Sequence, residues 1–152
     1  MLMRFPVLVL LLLFCPFSVD AGDALSLQPS KLTIESSSGD HDFVIELARS
    51  PEERSHGLMF RQHLAEDHGM LFLFDGEKRR AMWMKNTLIP LDMLFLGCGG
   101  EVLAIHANAT PKSLKPIAPK VLACAVLEID GGVAAQLGIS PGDHVRHPAL
   151  RD

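Results

Sequence analysis

Short apolar runs separated by turn-forming residues are the feature that most restricts how this sequence can fold. The runs follow one another about every ten residues, and clusters of Gly, Pro, Asp or Ser stand between them. This pattern predicts a mainly-β fold, an antiparallel β-sandwich or barrel of jelly-roll type with two short helices. The predicted strands are Lys31–Glu35, His41–Ala48, Gly69–Phe74, Ala81–Met84, Leu91–Leu96, Glu101–Ala107, Val121–Ile129 and His144–Leu150.

Two segments carry helix signals instead. Ser50 can cap a helix that starts at Pro51, Glu53 completes a capping box, and Gly57 ends the helix after about two turns. A second short helix is predicted just before Gly138. Two such short helices are too few for repeated βαβ units, so a parallel sheet is not expected.

Residues 1–21 have the features of a secretory signal peptide. A basic start is followed by the apolar run Phe5 to Phe17, which is shorter than the roughly 20 residues of a membrane span. Val19 and Ala21 predict cleavage after Ala21. Acylation at Cys15 and an uncleaved anchor stay open as alternatives.

Cleavage would leave residues 22–30 as a loose leader and residues 31–152 as a single β-domain. Export predicts a periplasmic or secreted protein, and no later run is long enough for a transmembrane span. The chain carries 14 basic and 18 acidic residues, for a net charge of −4, and has no basic stripe. Nucleic acid is therefore not an expected partner.

Cys98 and Cys124 remain after export, in a compartment that permits disulfides. Cys98 lies in a glycine-rich turn, whereas Cys124 lies inside a predicted strand. Because a disulfide needs Cα atoms closer than about 7 Å, the sequence leaves open whether these two cysteines pair.

A compact polar group interrupts the apolar stretch from Arg80 to Leu96. Buried polar groups need partners, so these side chains should bond within the fold or line a solvated cleft. We expect a cleft that clamps a carboxylate or a sugar, with Lys85 and Asp92 lining it. An ion-pair network that joins helix to sheet is the structural alternative. The candidate ligand-binding residues are Arg54, Arg61, Lys85, Asn86, Thr87 and Asp92.

Trp83, the single tryptophan of the chain, stands between apolar residues of a predicted strand. This position predicts a buried indole that packs against Phe72 or Phe74 and methionine sulfur.

Catalysis and metal binding have weaker support. The sequence lacks a Gly-x-Ser-x-Gly elbow and a cysteine with recognisable His and acid partners, so the catalytic residues are unknown. Methionine and histidine side chains could bind copper(I), although methionines at strand spacing more often fill a core. No cofactor or metal is assigned. The residues of this copper alternative are Met59, Met70, Met82, Met84, Met93, His56, His63 and His68.

Four segments occur in an order and spacing typical of one family: ELARSPEERSHGLMFR, GMLFLF, MWMKNTLIPLDMLF and VLEIDGGVAAQLGISPGD. Over Phe43 to Val145 the chain resembles the bacterial and archaeal family called domain of unknown function 192 (DUF192). The resemblance implies a small, often exported β-domain of sandwich or barrel type and no established activity. The positions that match the family pattern are Arg54, Gly57, Met59, Arg61, Gly69, Met70, Phe72, Trp83, Met84, Lys85, Asn86, Thr87, Pro90, Asp92, Gly142 and Asp143.

Together these features predict an exported β-domain that binds a small polar ligand or an envelope component through a polar cleft. A hydrolase acting on a cell-envelope substrate is the second interpretation, and a copper protein is the third. An enzyme should show a group of strongly perturbed pKa beside a positioned partner, whereas a binding module should show converging arginine, lysine and asparagine side chains and no group of strongly perturbed pKa.

The signal peptide makes a direct prediction about the purified protein. The intact mass should correspond to a chain that begins after Ala21, because the cleavage pattern ends there. Mass spectrometry of the exported protein checks this. A mass that retains Met1, or one that includes lipid on Cys15, would contradict the prediction.

Overall fold

The computed structural model describes residues 29–150. The predicted signal peptide and residues 22–28 of the predicted leader lie outside this range. Ser30, assigned to the leader, already belongs to the first strand. Neither helix within residues 29–150 is long and apolar enough to cross a membrane. The elements are β1 (Ser30–Ser36), β2 (Gly39–Ala48), α1 (Pro51–His56), β3 (His68–Lys78), β4 (Leu91–Leu96), β5 (Val102–Ala109), β6 (Ala123–Asp130), α2 (Val133–Gln136) and β7 (His144–Arg146).

The seven strands form one sheet in the order β5-β4-β6-β3-β2-β1-β7. The sheet curls until its edges approach each other, where Glu101 bridges His144 and the Val102 N–H donates to the Asp143 carbonyl at 2.8 Å. The shape is a curled half-barrel. The prediction of a mainly-β fold with two short helices is confirmed, and the barrel describes it better than the sandwich.

One strand pair differs from the predicted antiparallel arrangement. β2 and β3 are parallel, with Val44 opposite His68 and Ala48 opposite Phe72. The antiparallel prediction is wrong for this pair because residues 49–67, which contain α1, return the chain to the opposite end of the sheet. The other pairs within this sheet are antiparallel.

Both faces of the central strands are buried. On β4, Leu94 faces the inner core that the curled sheet encloses, and Met93 and Phe95 face an outer core. The outer core is covered by loop residues such as Leu58 and Met84 rather than by a second sheet. Because each fully buried side chain of this size contributes roughly 1.5–3 kcal/mol, both cores stabilise the sheet.

The segment Ala81–Met84, predicted as a strand, lies outside the sheet. Its one ladder contact is the bridge between Met82 and Ile117. The strand prediction is wrong because this apolar segment packs across the outer core instead of pairing within the sheet. The last strand is also shorter than predicted and ends at Arg146.

Cys98 and Cys124 form a disulfide, with their Cα atoms 4.9 Å apart. The bond is possible because β4 pairs with β6, which places Leu96 opposite Ala125 and brings the glycine-rich turn beside the strand. A disulfide between residues this far apart in sequence typically contributes about 2–4 kcal/mol. The sequence left open whether these two cysteines pair, and the pairing of β4 with β6 brings them together.

The Asp92 carboxylate is fully buried and joins three parts of the fold. It accepts hydrogen bonds from the backbone N–H groups of Asn108 at 2.8 Å, Gly132 at 3.0 Å and Ala134 at 2.9 Å. These bonds tie β4 to the end of β5 and to the start of α2. The charge is thus satisfied within the protein, as buried charges require.

We expect Asp92→Asn to lower the free energy of unfolding by about 3 kcal/mol, because the amide replaces a charged acceptor of buried N–H groups with a neutral one. Urea unfolding measures this change. Asp42→Asn is the matched control, since Asp42 is exposed and accepts a hydrogen bond from the Thr33 hydroxyl. This substitution should lower the free energy of unfolding by less than about 1 kcal/mol. Equal effects of the two substitutions would contradict the role of Asp92.

Candidate functional site

A cleft of about 350 Å³ opens on the outer side of the sheet. One wall comes from α1 and the loop after it, the other from the segment that contains Trp83, and the floor from β3 and β6. Its size is within the range of small-molecule sites. The residues that line the cleft are Pro51, Arg54, Ser55, His56, Gly57, Leu58, Met59, Phe72, Phe74, Ala81, Met82, Trp83, Lys85, Thr87 and Glu128.

A capping box fixes the α1 wall as predicted. The Ser50 hydroxyl accepts the Glu53 N–H at 3.1 Å, and the Glu53 carboxylate accepts the Ser50 N–H at 2.8 Å. The backbone N–H groups of Ser50 and Arg49, which both donate to the Glu53 carboxylate, lower its pKa. Gly57 follows with φ +50°, and a side chain there would meet the Phe72 ring at 3.1 Å. The glycine therefore lets the loop turn closely over the cleft floor.

Both walls contain a residue in the left-handed conformation, and a hydrogen bond joins the two. Asn86 has φ +55° and Phe60 has φ +63°, and the Phe60 N–H donates to the Asn86 carbonyl at 2.9 Å. The Asn86 amide also donates to the Met59 sulfur at 3.7 Å. Left-handed conformations cost energy in residues other than glycine and concentrate at functional sites. The two loops thus hold each other in place at the mouth of the cleft.

Glu128 provides the acidic group of the floor. It lies on the outer face of β6, between Met70 of β3 and Met93 of β4, and is only 4% exposed. Its carboxyl group has no hydrogen-bond partner within residues 29–150, yet both oxygens keep contact with solvent, which they reach through the cleft. Burial raises the pKa of Glu128 to about 8, so the group is mainly a neutral acid at pH 7.

Arg54 and Lys85 add positive charge to the walls. The Arg54 guanidinium donates to the carbonyls of Leu73, at 3.0 Å, and Arg49, and it lies 5.2 Å from the centre of the Phe74 ring. The Lys85 ammonium lies 5.2 Å from the centre of the Trp83 ring. Among the described residues, neither cation forms an ion pair with a carboxylate.

Comparison with known proteins identifies the family of this chain. The profile of the family described as "DUF192: Uncharacterized ACR" matches residues 33–147. The chain belongs to the DUF192 family. No curated protein gives a significant match.

The solved structures that are similar to this DUF192 domain include two bacterial proteins. One, from Sinorhizobium meliloti 1021, is described as a candidate transcription regulator; it is 41% identical, has a TM-score of 0.81, and the match covers 84% of this chain and 100% of that one. The other, from Novosphingobium aromaticivorans DSM 12444, is described as a protein of unknown function; it is 44% identical, has a TM-score of 0.78, and the match covers 82% of this chain and 90% of that one.

The DUF192 cleft brings together only part of the predicted site. Arg54, Lys85 and Thr87 line the cleft, and Asn86 supports its wall through Met59. Arg61 instead forms an ion pair with Glu46 at 2.6 Å.

Asp92 also lies outside the cleft. The expectation that it lines the cleft with Lys85 is wrong, because three backbone N–H groups occupy its buried carboxylate.

Trp83 is 49% exposed, which contradicts its predicted burial. The strand prediction would have placed it in a sheet, whereas the segment runs over the sheet and turns Met84 inward and Trp83 toward the cleft mouth. Met70, Met84 and Met93 are completely buried in the outer core, in agreement with the core interpretation of these methionines.

One group of potential metal ligands occurs within residues 29–150, and it lies away from the cleft. It consists of Glu77, Cys98 and Cys124, and its two sulfur atoms are joined in the disulfide. The histidines of the copper alternative do not belong to this group.

Sequence reasoning missed Glu128. A signal was present, since Glu128 is the one charged residue inside the apolar run Val121–Ile129. A charged residue in a strand covered on both faces must have a partner or an opening to solvent. The pattern could therefore have identified Glu128, but it could not have shown what lies above it.

We expect Glu128→Gln to change how stability depends on pH. The pKa of Glu128 is raised from 4.5 to about 8 in the folded state. The contribution of its neutral carboxyl to the free energy of unfolding is therefore complete below pH 4.5 and is lost as the pH rises to about 8. Between about pH 5 and about pH 8, the free energy of unfolding should fall by about 3–4 kcal/mol more in the wild-type protein than in the variant. Urea unfolding of both proteins at each pH gives the difference. Parallel pH profiles would show that Glu128 is ionised in the folded protein.

Proposed function

We propose that this DUF192 protein binds a small polar ligand in the cleft and recognises it through Glu128. The observation that carries the proposal is the carboxyl group at the floor, which is 4% exposed, has no protein partner among the described residues and opens into the cavity. Because both oxygens keep contact with solvent through the cleft, they can hydrogen-bond to a ligand that enters it.

The walls of the cleft define the size and character of the ligand. A protonated carboxyl both donates and accepts a hydrogen bond, which suits a hydroxyl or carboxyl group. Leu58, Phe72 and Met82 offer apolar contacts for the body of the ligand. A volume of about 350 Å³ suits a sugar or a small organic acid.

Binding is better supported than hydrolysis. The raised pKa of Glu128 is what an acid catalyst needs and was not expected of a binding module, but no described side chain hydrogen-bonds to Glu128 as the positioned partner that an enzyme also requires. A glycosidase of the usual kind also needs two carboxyl groups, and Glu128 is the only one that lines the cleft among the described residues.

Exposed aromatic side chains near the cleft and the predicted signal peptide both fit a protein that acts in the cell envelope. Trp83, which lines the cleft, is 49% exposed, and Phe60, next to the lining residue Met59, is 60% exposed, so an envelope component that carries the ligand could contact both. A periplasmic or secreted location follows from the predicted signal peptide and forms part of this proposal. The description as a candidate transcription regulator belongs to the Sinorhizobium protein, and a net charge of −4 gives no reason to extend nucleic-acid binding to this chain.

Trp83 provides a direct measurement of binding, because it is the single tryptophan of the chain and lines the cleft. Sugars, uronic acids and small carboxylates should be titrated while tryptophan emission is followed, and active compounds should be tested by thermal unfolding. A ligand at a hundredfold excess over its Kd should add about 2.7 kcal/mol to the free energy of unfolding.

Matched variants connect the signal to the floor of the cleft. Glu128→Ala should abolish the saturable change in emission, whereas Glu101→Ala, which removes an exposed carboxylate elsewhere, should leave it intact. Unchanged binding in Glu128→Ala would refute the proposal. So would a full panel that changes neither the emission nor the melting temperature.

A further inference from the structure

We infer that the ligand of the cleft carries a carboxylate, which Glu128 binds through a shared proton and Lys85 binds through its charge. This inference rests on the proposed function, because it names the chemical class of ligand for the same site. It follows from the sign of the charges around the cleft, from the bonds that each cation already makes, and from the chemistry of a neutral acid at the floor.

The charges that line the cleft are positive. Arg54 and Lys85 are cations, and Glu128, the one carboxyl group among the described lining residues, is mainly neutral at pH 7 because burial raises its pKa to about 8. No ion pair among the described residues neutralises either cation. A carboxylate in the cleft would supply the anionic partner that neither cation has among the described residues, and a neutral sugar would not.

The two cations differ in their freedom to bind a ligand. Arg54 already donates to the carbonyls of Arg49 and Leu73, so its guanidinium is held against the protein and acts mainly through its charge. The Lys85 ammonium contacts only the Trp83 ring in the described structure and keeps its three N–H donors for other partners. Lys85 is therefore the cation that can bond directly to a bound anion.

Glu128 complements a carboxylate rather than repelling it. A protonated carboxyl donates a short, strong hydrogen bond to a carboxylate, with an oxygen separation of about 2.5–2.7 Å. Two carboxyl groups that share one proton resist losing it, because ionisation would place two negative charges side by side. The bound ligand would consequently hold Glu128 in its protonated form.

This coupling makes affinity depend on pH. The neighbours of Glu128 in the sheet, Met70 and Met93, carry no charge. The titratable groups that line the cleft from other elements are Arg54 and His56 of α1 and Lys85 of the opposite wall. As the pH rises above about 8, Glu128 ionises and opposes a carboxylate ligand, so affinity should fall about tenfold per pH unit.

Calorimetric titration with matched pairs of compounds tests the inference. The probes are glucuronate against glucose and benzoate against benzyl alcohol, each pair differing in the carboxylate. Wild-type protein should bind at least one carboxylate about tenfold or more tightly than its neutral partner. Lys85→Met should remove most of this preference, whereas Lys31→Met, at an exposed lysine on β1, should retain it.

Glu128→Gln provides the second test, because the amide keeps a neutral donor but cannot ionise. It should bind the same carboxylate with an affinity that stays constant between about pH 7 and about pH 9.5, where wild-type affinity falls. Equal pH profiles for the two proteins would overturn the role of the shared proton. Melting temperatures of all variants verify that the compared proteins are folded.

The failures of the two proposals are distinguishable. If a neutral compound binds as tightly as its carboxylate partner, and Glu128→Ala abolishes that binding, the cleft still binds a small polar ligand and the carboxylate inference is wrong. If no carboxylate binds, the inference also fails. If compounds bind but Glu128→Ala does not affect them, both proposals fail.

Discussion

Burial of β6 on both faces is the constraint on which the rest of the structure depends. β6 lies between β4 and β3, with Leu127 in the inner core and Val126 in the outer core. Loops must cover the outer face, because residues 29–150 form no second sheet that could do so. The cleft is the place where this cover is incomplete, and Glu128 lies beneath it.

The sheet contains two buried carboxyl groups with opposite roles. Asp92 accepts three backbone hydrogen bonds and holds β4, β5 and α2 together, so its charge is part of the framework. Glu128 has no such donors among the described residues and is stabilised as a neutral acid. The number of available donors, rather than burial itself, distinguishes a structural carboxylate from a candidate for recognition.

Local signals in the sequence predicted local structure well, including the mainly-β class and the capping box of α1. Features that depend on pairing between residues far apart in the sequence could not be predicted from these local signals. The parallel β2–β3 pair, the exposure of Trp83 and the partners of Asp92 depend on which strands become neighbours and on how loops cross them. Glu128 lies between these cases, since its apolar context was visible while the cleft above it was not.

The position of β1 between β2 and β7 has a consequence for folding kinetics. β7, near the end of the described chain, pairs with a strand that begins more than a hundred residues earlier, and it also bridges the start of β5. Contacts between such distant residues slow folding, because the chain must lose much of its freedom before they form. During synthesis, one edge of β1 therefore stays unpaired until β7 has been made.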